Sequence, residues 1–468
     1  MGQDLIIDFL EKRFRENTKR TFTKEEIETD TGKCIKNYSL KSAFEHGDIY
    51  REVEFIRKNG CKTRRYRYRY LPNGSFSISN FRNDKASAIP NFHKLSSEKR
   101  IELIGNFCGL TEDEKRMLGD LNVKDLCNIG ENSVGSFSYA LRFTNYFKIN
   151  DEDYFIPVVT EEASVVAAGC YAAKLCYDSG GIQASVIKSK EYDKAIGQVQ
   201  LVNVKNPERA RKEILENKDY LLKIARKGHK HSNPYDLSVE SFDIKLGNMM
   251  IVNLHIDPED AMGAAVASDM ADSIAEKLST IAEAEYNRGI ISNYSGRLTR
   301  AMMKVPIEKL ARKSKITGRK WSGEEVKNRI LWLDEWSKKD IKRAVTNNKG
   351  IMNDVIGVAR ATAQDDRAIE AANSIYAIRN GSYQPLSKWH ASDKYLYGEL
   401  EMLIPCGIVG GEIKKYPKAE LLLKRVLKVQ KADQLAEIMA SVGLAGNLAG
   451  LSMISSIGLK EGHELHRK

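Results

Sequence analysis

Residues 343–370 constrain the fold more than any other stretch, because they place a lysine and an aspartate where one straight helix cannot bring them together. The segment reads RAVTNNKGIMNDVIGVARATAQDDRAIE, with Lys349 followed sixteen residues later by Asp365 and Asp366. Sixteen helical steps of about 100° leave two side chains on nearly opposite faces. We therefore predict a helix break in ATAQDD, with one aspartate as N-cap of the next helix. Taken alone, the stretch favours a surface lysine and a capping aspartate over a functional pair.

The composition is that of a soluble globular protein. The chain has 468 residues, 42% of them hydrophobic, which suits roughly two to four domains. No window approaches the roughly 18 apolar residues of a membrane span, and Asp4 and Asp8 interrupt the N-terminal apolar run. We expect a cytoplasmic protein without a secretory signal. Seven scattered cysteines without CxxC favour reduced thiols over a disulfide framework or a metal site.

The first 86 residues carry more than half of the net charge of +11. They contain 19 lysines and arginines against 13 acidic residues, whereas the remainder has 55 against 50. Three segments have helical spacing, and two alternating runs flank the hairpin dipeptide Asn59-Gly60. This order is typical of a winged helix-turn-helix, which we predict over residues 1–72, followed by a linker over 73–90. The three helices are predicted at 3–16, 23–32 and 37–47.

The second run of that hairpin alternates arginine with tyrosine. One face would carry the arginines over a row of aromatic rings, which suits contact with phosphates. DNA is therefore a predicted partner of residues 1–72. A winged helix used only for protein contact or dimerisation explains the pattern equally well. The alternating residues are Arg65, Tyr66, Arg67, Tyr68, Arg69 and Tyr70.

Between residues 127 and 175 the sequence predicts glycine-marked turns, a hairpin, and a helix that begins near the paired carboxylates Glu161 and Glu162. An acid at the start of an apolar helix responds favourably to the helix dipole. It is also suited to be a buried proton donor with a raised pKa. The sequence leaves both interpretations open.

A strand at 198–204, one amphipathic helix ending at Gly228, a hairpin around Leu246-Gly247 and a long helix predict a small inserted α+β domain. Neither GxGxxG after a strand nor GxxxxGK[ST] occurs, so a Rossmann site and a P-loop are not supported. The glycine cluster GIVGG is weak by itself. His463, five residues from the end, is by itself typical of a solvated tail.

Together these pieces resemble a known family. ENSVGSF, IPVVTEEASVVAA, DAMGA, AVTNNKGIMN, QDDRAIEA, GIVGG, VGLAGNLAGL and the terminal GH occur in the order and approximate spacing of class II 3-hydroxy-3-methylglutaryl-CoA (HMG-CoA) reductases. The resemblance covers roughly residues 87–468. It implies an α+β fold in which a large α-rich domain, residues 91–189 and 293–468, carries an inserted ferredoxin-like cofactor domain at 190–292.

The resemblance also implies the activity, a four-electron reduction of HMG-CoA to mevalonate and CoA by two nicotinamide hydrides. It gives a role to each of four residues: oxyanion stabilisation by Lys349, orientation of that lysine by Asp365, proton donation by Glu162, and protonation of the CoA thiolate by His463. Asp366 is then left as the helix cap. Substrate contacts are implied at Ser164, Arg343 and Asn353, and cofactor contacts at Asp260, Ala261, Met262 and Gly263. Members of the family are dimers whose sites combine both subunits.

The cofactor preference rests on residues 226–230. His229 stands among basic residues where an aspartate would favour NADH, so we expect NADPH, with NADH as the alternative. No metal is expected.

Other positions depart from the family. The usual proline, histidine, asparagine and glutamine are replaced, His93 and Lys94 stand where a basic substrate contact is expected, and the chain ends at Lys468, where the family continues into a C-terminal flap. A DNA-binding regulator with a reductase-like sensor body is therefore the alternative function. The replaced positions are Ala163, Asn347, Ala265 and Gly446.

Overall fold

The computed structural model of the chain describes residues 22–23, 49–58, 61–70, 89, 92, 95, 97–119, 138–189 and 191–464. The chain divides into two compact units, Met1–Asp84 with Pro90–Ser96, and Lys85–Ile89 with Ser97–Lys468.

The first unit contains a three-stranded antiparallel sheet. Its strands β1 (Phe22–Thr23), β2 (Ile49–Lys58) and β3 (Cys61–Tyr70) pair in the order β1-β3-β2. Lys58 lies opposite Cys61, which leaves two residues for the turn, as the predicted hairpin requires. The three predicted helices, the linker and the basic residues His93 and Lys94 lie outside the described residues.

The second unit is built on a six-stranded sheet in the order β15-β16-β12-β6-β4-β5. The hairpin of β4 and β5 confirms the one predicted before the paired glutamates. The strands are β4 (Leu141–Ile149), β5 (Glu152–Val159), β6 (Ile182–Val186), β12 (Arg297–Pro306), β15 (Ser387–Ala391) and β16 (Tyr395–Ile404). A two-stranded hairpin, β13 (Arg312–Lys313) with β14 (Lys320–Trp321), stands apart from it.

Helices surround this sheet. They are α1 (Ser97–Cys108), α2 (Glu112–Gly119), α3 (Ala163–Cys176), α7 (Gly323–Lys339), α8 (Ile341–Ala361), α9 (Asp366–Tyr376), α10 (Pro417–Leu421), α11 (Ala432–Ile454) and α12 (Gly458–Glu464). A π-helical turn, Leu422–Val426, continues α10.

The helices α8 and α11 form the centre of the large core. A Cβ at Gly443 of α11 would lie about 3 Å from Val355 and Ile351 of α8, so glycine lets the two helices approach closely. A buried polar contact also joins them, since Asn447 donates to the Asn347 side chain over 2.8 Å. This contact gives Asn347, one of the departures from the family, a structural role.

The helix α11 corrects one expectation from the sequence. Its 23 residues are long and apolar enough to cross a membrane by composition, and among the described residues it is the one helix that meets this test. However, 72% of its apolar window is buried inside the protein. The helix is therefore placed as a core helix.

A second hydrophobic core lies within residues 195–291. Strand β7 (Ala195–Val202) leads through α4 (Pro207–Glu216) and α5 (Lys218–Arg226) to the hairpin of β8 (Asn233–Ile244) and β9 (Gly247–Asp257). Helix α6 (Ala264–Ala282) follows, then β10 (Glu285–Tyr286) and β11 (Ile290–Ser292). The order is β10-β7-β9-β8, with β11 also on β7.

Two local predictions in this region were wrong. The single amphipathic helix is split at Asn217, which ends α4 by donating its backbone N–H to the carbonyls of Glu213 and Leu215. The β8–β9 turn consists of residues 245 and 246, one residue earlier than predicted, because Ile244 pairs with Gly247, whose φ of 121° suits glycine.

Candidate active site

The central helix α8 has one exposed stripe. Lys349, Asn353, Ile356 and Arg360 recur at intervals of four, three and four residues, which keeps them on one face of a helix. Lys349 and Arg360 are exposed, whereas Asn353 and Ile356 are half-buried. Four residues in the first two turns are exposed as well, and the remaining positions of the helix are buried or half-buried: the four are Ile341, Lys342, Val345 and Thr346. An exposed polar stripe on such a helix marks a surface that can meet a ligand or another chain.

Two acidic pairs meet at the C-terminal end of this stripe. Arg360 lies 3.5 Å from a carboxylate oxygen of Glu161 and 2.9 Å from one of Asp366. Glu162 occupies the N-cap position of α3, as predicted, and its carboxylate accepts a 2.6 Å hydrogen bond from the Ser164 hydroxyl. The structure thus brings Glu162, Ser164 and the Asp365–Asp366 pair to one end of α8.

Asp365, and not Asp366, is the N-cap of α9. Its carboxylate accepts backbone hydrogen bonds from Arg367 and Ala368 at 3.1 and 3.2 Å. The sequence prediction that Asp366 caps the helix was therefore wrong, because the helix begins one residue earlier than the resemblance suggested. The predicted break between α8 and α9 is confirmed. Asp365 is still half-exposed after capping and can meet a further group.

Lys349 does not reach these carboxylates within one chain. Eleven helical residues separate it from Arg360, a rise of about 16 Å along the axis. Within the described part of the chain its ammonium forms no ion pair and projects from an exposed position. His463 lies in α12. The single chain therefore presents Lys349 and the Glu162–Asp365 end as two separate parts of one face.

Arg343 lies one turn and a half before Lys349 on α8. Its guanidinium stands 5.9 Å from the Trp336 ring, and its Nε is buried without a hydrogen-bond partner. Burial lowers the pKa of this guanidinium. A buried donor without a partner is costly, so an incoming anion would stabilise it. This environment suits the substrate contact predicted for Arg343.

The loop before α6 has the form of an anion site. Gly263, with φ 106°, occupies the N-cap, and no side chain caps the helix. The free N–H groups of a helix N-terminus attract phosphate. The predicted contacts Asp260, Ala261 and Met262 form the turn that leads into it. His229 lies in the loop before β8, at the same edge of the sheet, because Asn233 pairs with Asp257.

Arg297 holds this loop in place. Its side chain is fully buried, and its guanidinium donates to the carbonyls of Glu259, Ala261 and Cys406 and to the carboxylate of Asp433. The glycine run that was weak by itself packs here as well, since a Cβ at Gly407 would lie 2.3 Å from the backbone nitrogen of Met262. Sequence reasoning missed Arg297, since no local pattern marks a buried arginine.

The sequence analysis also missed a buried acid, Asp354. It lies on the inner face of α8, fully enclosed, and burial raises the pKa of its carboxyl, with the charge of Glu162 adding to the effect. Its space exists because residue 446 is glycine: a Cβ there would lie 2.0 Å from the Asp354 carboxylate. The unusual Gly446 was a signal in the sequence, but its partner could not be identified without the fold.

Comparisons with known proteins agree on one family. The family described as Hydroxymethylglutaryl-coenzyme A reductase matches residues 96–468. The 3-hydroxy-3-methylglutaryl-coenzyme A reductase of Archaeoglobus fulgidus is 35% identical over 84% of this chain and 88% of its own length.

Two solved structures resemble this chain, with sequence identities close to that of the Archaeoglobus fulgidus relative. The class II 3-hydroxy-3-methylglutaryl-CoA reductase from Streptococcus pneumoniae bound to NADPH in open conformations is 32% identical. It aligns with a TM-score of 0.71 over 78% of this chain and 99% of its own. A second structure of the Streptococcus pneumoniae reductase aligns with a TM-score of 0.72 over 80% and 88% of the two chains. None of these findings supports the DNA-binding alternative.

We expect Asp354→Asn to stabilise the protein at alkaline pH. A raised folded pKa means that the free energy of unfolding falls as the pH rises above about 3.9, the value for an unfolded aspartate. Asparagine cannot ionise, so the variant should be more stable at about pH 8 by on the order of 1–3 kcal/mol, the usual cost of removing a polar group from water without full compensation.

Urea denaturation at about pH 8 and about pH 4 checks this, since the difference should shrink at the lower pH. The matched control is Asp113→Asn, whose carboxylate is 88% exposed and whose removal should leave stability unchanged at both values. Equal midpoints for Asp354→Asn and the parent protein at both pH values would contradict the expectation.

Proposed function

The chain belongs to the hydroxymethylglutaryl-coenzyme A reductase family and is an NAD(P)H-dependent HMG-CoA reductase, and on this premise we propose which residues carry the reaction. Glu162, Lys349, Asp365 and His463 are assigned the four chemical roles. The observation that carries this assignment is the exposed stripe of α8, which bears Lys349 and Asn353. The stripe ends at Arg360, which binds one residue of the Glu161–Glu162 pair and one of the Asp365–Asp366 pair.

The first reduction turns the thioester carbonyl into an oxyanion. The Lys349 ammonium stabilises this negative charge. Because the charge is absent from the bound thioester and develops in the transition state, the interaction lowers the barrier. Asp365 holds the ammonium in position. When the intermediate collapses, the C–S bond breaks and His463 donates a proton to the departing CoA thiolate, a role suited to a side chain that titrates near neutrality.

The second reduction acts on the aldehyde that remains. Glu162 gives a proton to the aldehyde oxygen as that oxygen takes up negative charge. The hydrogen bond from Ser164 supports this role by fixing the rotamer of Glu162. Arg343 and Asn353 are proposed to hold the acyl portion of the substrate, and the buried unpaired Nε of Arg343 supports an anionic contact there.

We infer that NADPH is the cofactor, which when bound supplies the hydride for each reduction. The residues present fit it: the uncapped N-terminus of α6 suits a pyrophosphate, and Asp260–Gly263 form the turn beside it. His229, with the exposed basic residues around it, suits a 2′-phosphate. The NADPH-bound relative supports the same choice, with NADH as the alternative.

We propose that residues 190–292 form the ferredoxin-like cofactor domain, with the large domain at 91–189 and 293–468. The succession of a strand, helices, two strands, a helix and a strand, with order β10-β7-β9-β8, supports this division. A cytoplasmic location is proposed with it.

For residues 1–72 the proposed winged-helix form is supported by the sheet of β1, β3 and β2. DNA is the partner that the basic charge of this segment suits. A salt-sensitive mobility shift of duplex DNA by the full chain checks it, and a shift unchanged by deletion of residues 1–72 would argue against this segment as the DNA-binding part.

The Lys349→Ala variant should lose HMG-CoA-dependent oxidation of NADPH. Removal of one oxyanion-stabilising donor typically lowers kcat by roughly 10²–10³-fold. Absorbance of the reduced nicotinamide is the measurement, made in parallel with NADPH and NADH. The control is Lys342→Ala, an exposed lysine two turns earlier on α8, which should retain activity. Unchanged turnover of Lys349→Ala would remove the lysine from the mechanism.

We propose a homodimer whose sites combine Lys349 of one subunit with Glu162 and Asp365 of the other. In one chain Lys349 forms no ion pair within the described residues, and about 16 Å of helix separates it from Arg360, the residue that pairs with Glu161 and Asp366. Co-expression of a Lys349→Ala chain with a Glu162→Gln chain should then restore activity, since one of the two sites in the mixed dimer has no substitution. If every site lay within one chain, each would keep one defect, and the mixture would be as inactive as its parts.

A further inference from the structure

The last described helix is docked by a buried carboxylate. Glu461, in α12, is only 6% exposed although it lies near the end of the chain. One of its oxygens accepts a 2.6 Å hydrogen bond from the Ser314 hydroxyl, and the other accepts a 2.6 Å bond from the backbone N–H of Lys315. Both oxygens are therefore paired, by donors that lie about 146 residues earlier in the chain.

The loop that receives Glu461 also has hydrogen bonds of its own. It joins β13 to β14, and the backbone N–H of Ser314 donates to the carbonyl of Arg319 over 2.8 Å. The Ser314 hydroxyl also accepts a 2.8 Å bond from the backbone N–H of Thr317. This acceptance orients the hydroxyl so that its own proton points to Glu461. The donors are thus held in place by the loop itself.

These contacts keep the Glu461 carboxylate ionised. The hydrogen bond from Ser314, followed by those from the backbone of Lys315 and Ile316, lowers the pKa of the carboxyl. A buried carboxylate without such donors would be costly. The position of α12 in which Ser314 and Lys315 donate to Glu461 is therefore favoured over positions in which they do not. A helix end without a specific anchor would instead fray into solvent.

We propose that Glu461 is a positioning residue for thioester reduction. It seats α12 on the β13–β14 loop and so sets the backbone position of His463, two residues further along the same helix. This inference rests on the proposed role of His463 as proton donor to the CoA thiolate. In this proposal Glu461 acts through the placement of α12, since both of its carboxylate oxygens are already bonded to the β13–β14 loop.

The test uses the two halves of the reaction. Release of a thiolate occurs when HMG-CoA is reduced and does not occur when mevaldehyde is supplied as substrate. In the full-length enzyme, Glu461→Ala should lower HMG-CoA reduction by on the order of 10²-fold, as misplaced catalytic groups do, and leave mevaldehyde reduction unchanged. Ser314→Ala should show a smaller loss of the same kind, because the Lys315 N–H still holds the carboxylate.

Three controls separate the possible results. Lys460→Ala, at an exposed neighbour on α12, should leave both reductions unchanged. Glu461→Gln, which keeps one acceptor oxygen, should lie between the parent and Glu461→Ala. His463→Ala tests the premise, since it should also lose thioester reduction selectively.

If His463→Ala lacks this selectivity, the proposed role of His463 fails. If His463→Ala shows it and Glu461→Ala does not, the positioning role fails while the proposed function stands. Equal losses of both reductions in Glu461→Ala and in Ser314→Ala would indicate a general structural defect and would also overturn the positioning role.

Discussion

The arrangement of the cofactor end of the site depends on one buried cation. Arg297 is the first residue of β12, the strand by which the chain returns from the second core to the large sheet. Its guanidinium donates to the backbone carbonyls of Ala261 and Cys406 and to the carboxylate of Asp433 at the start of α11. Burying a charge is favourable only when its hydrogen-bonding capacity is met. Since carbonyls of the 259–261 turn and of Cys406 meet it, those segments are held to each other, and the α6 N-terminus is aimed by the same contacts.

The sequence predicted the local parts of the site well. Turn residues and periodicity identified the α3 start at the paired glutamates, the break between α8 and α9, strand β7, and the three hairpins β2–β3, β4–β5 and β8–β9. These features depend on neighbouring residues, which a sequence displays directly. The cap was misplaced between Asp365 and Asp366 because two adjacent aspartates offer the same chemistry, and only the backbone decides which one precedes the first helical turn.

What the sequence could not provide were contacts between distant residues. Arg297 with Cys406, Glu461 with Ser314, and Asn347 with Asn447 are each separated by 100 residues or more. The break at Asn217 also depends on distant contacts. The hydrophobic pattern continues on both sides of it, so the sequence shows no interruption, and the packing of both helices on the second core decides where the chain turns.

The contact between Gly446 and Asp354 restricts how this protein could have changed. A side chain at 446 and a carboxylate at 354 cannot occupy the same volume, given the 2.0 Å approach of a Cβ to that carboxylate. The larger residue usual in the family at 446 could return only after position 354 became small. An ancestor passing between the two arrangements would need both positions small at once, leaving a cavity between α8 and α11. Positions 354 and 446 are therefore coupled, and the residue at one limits which residues the other can hold.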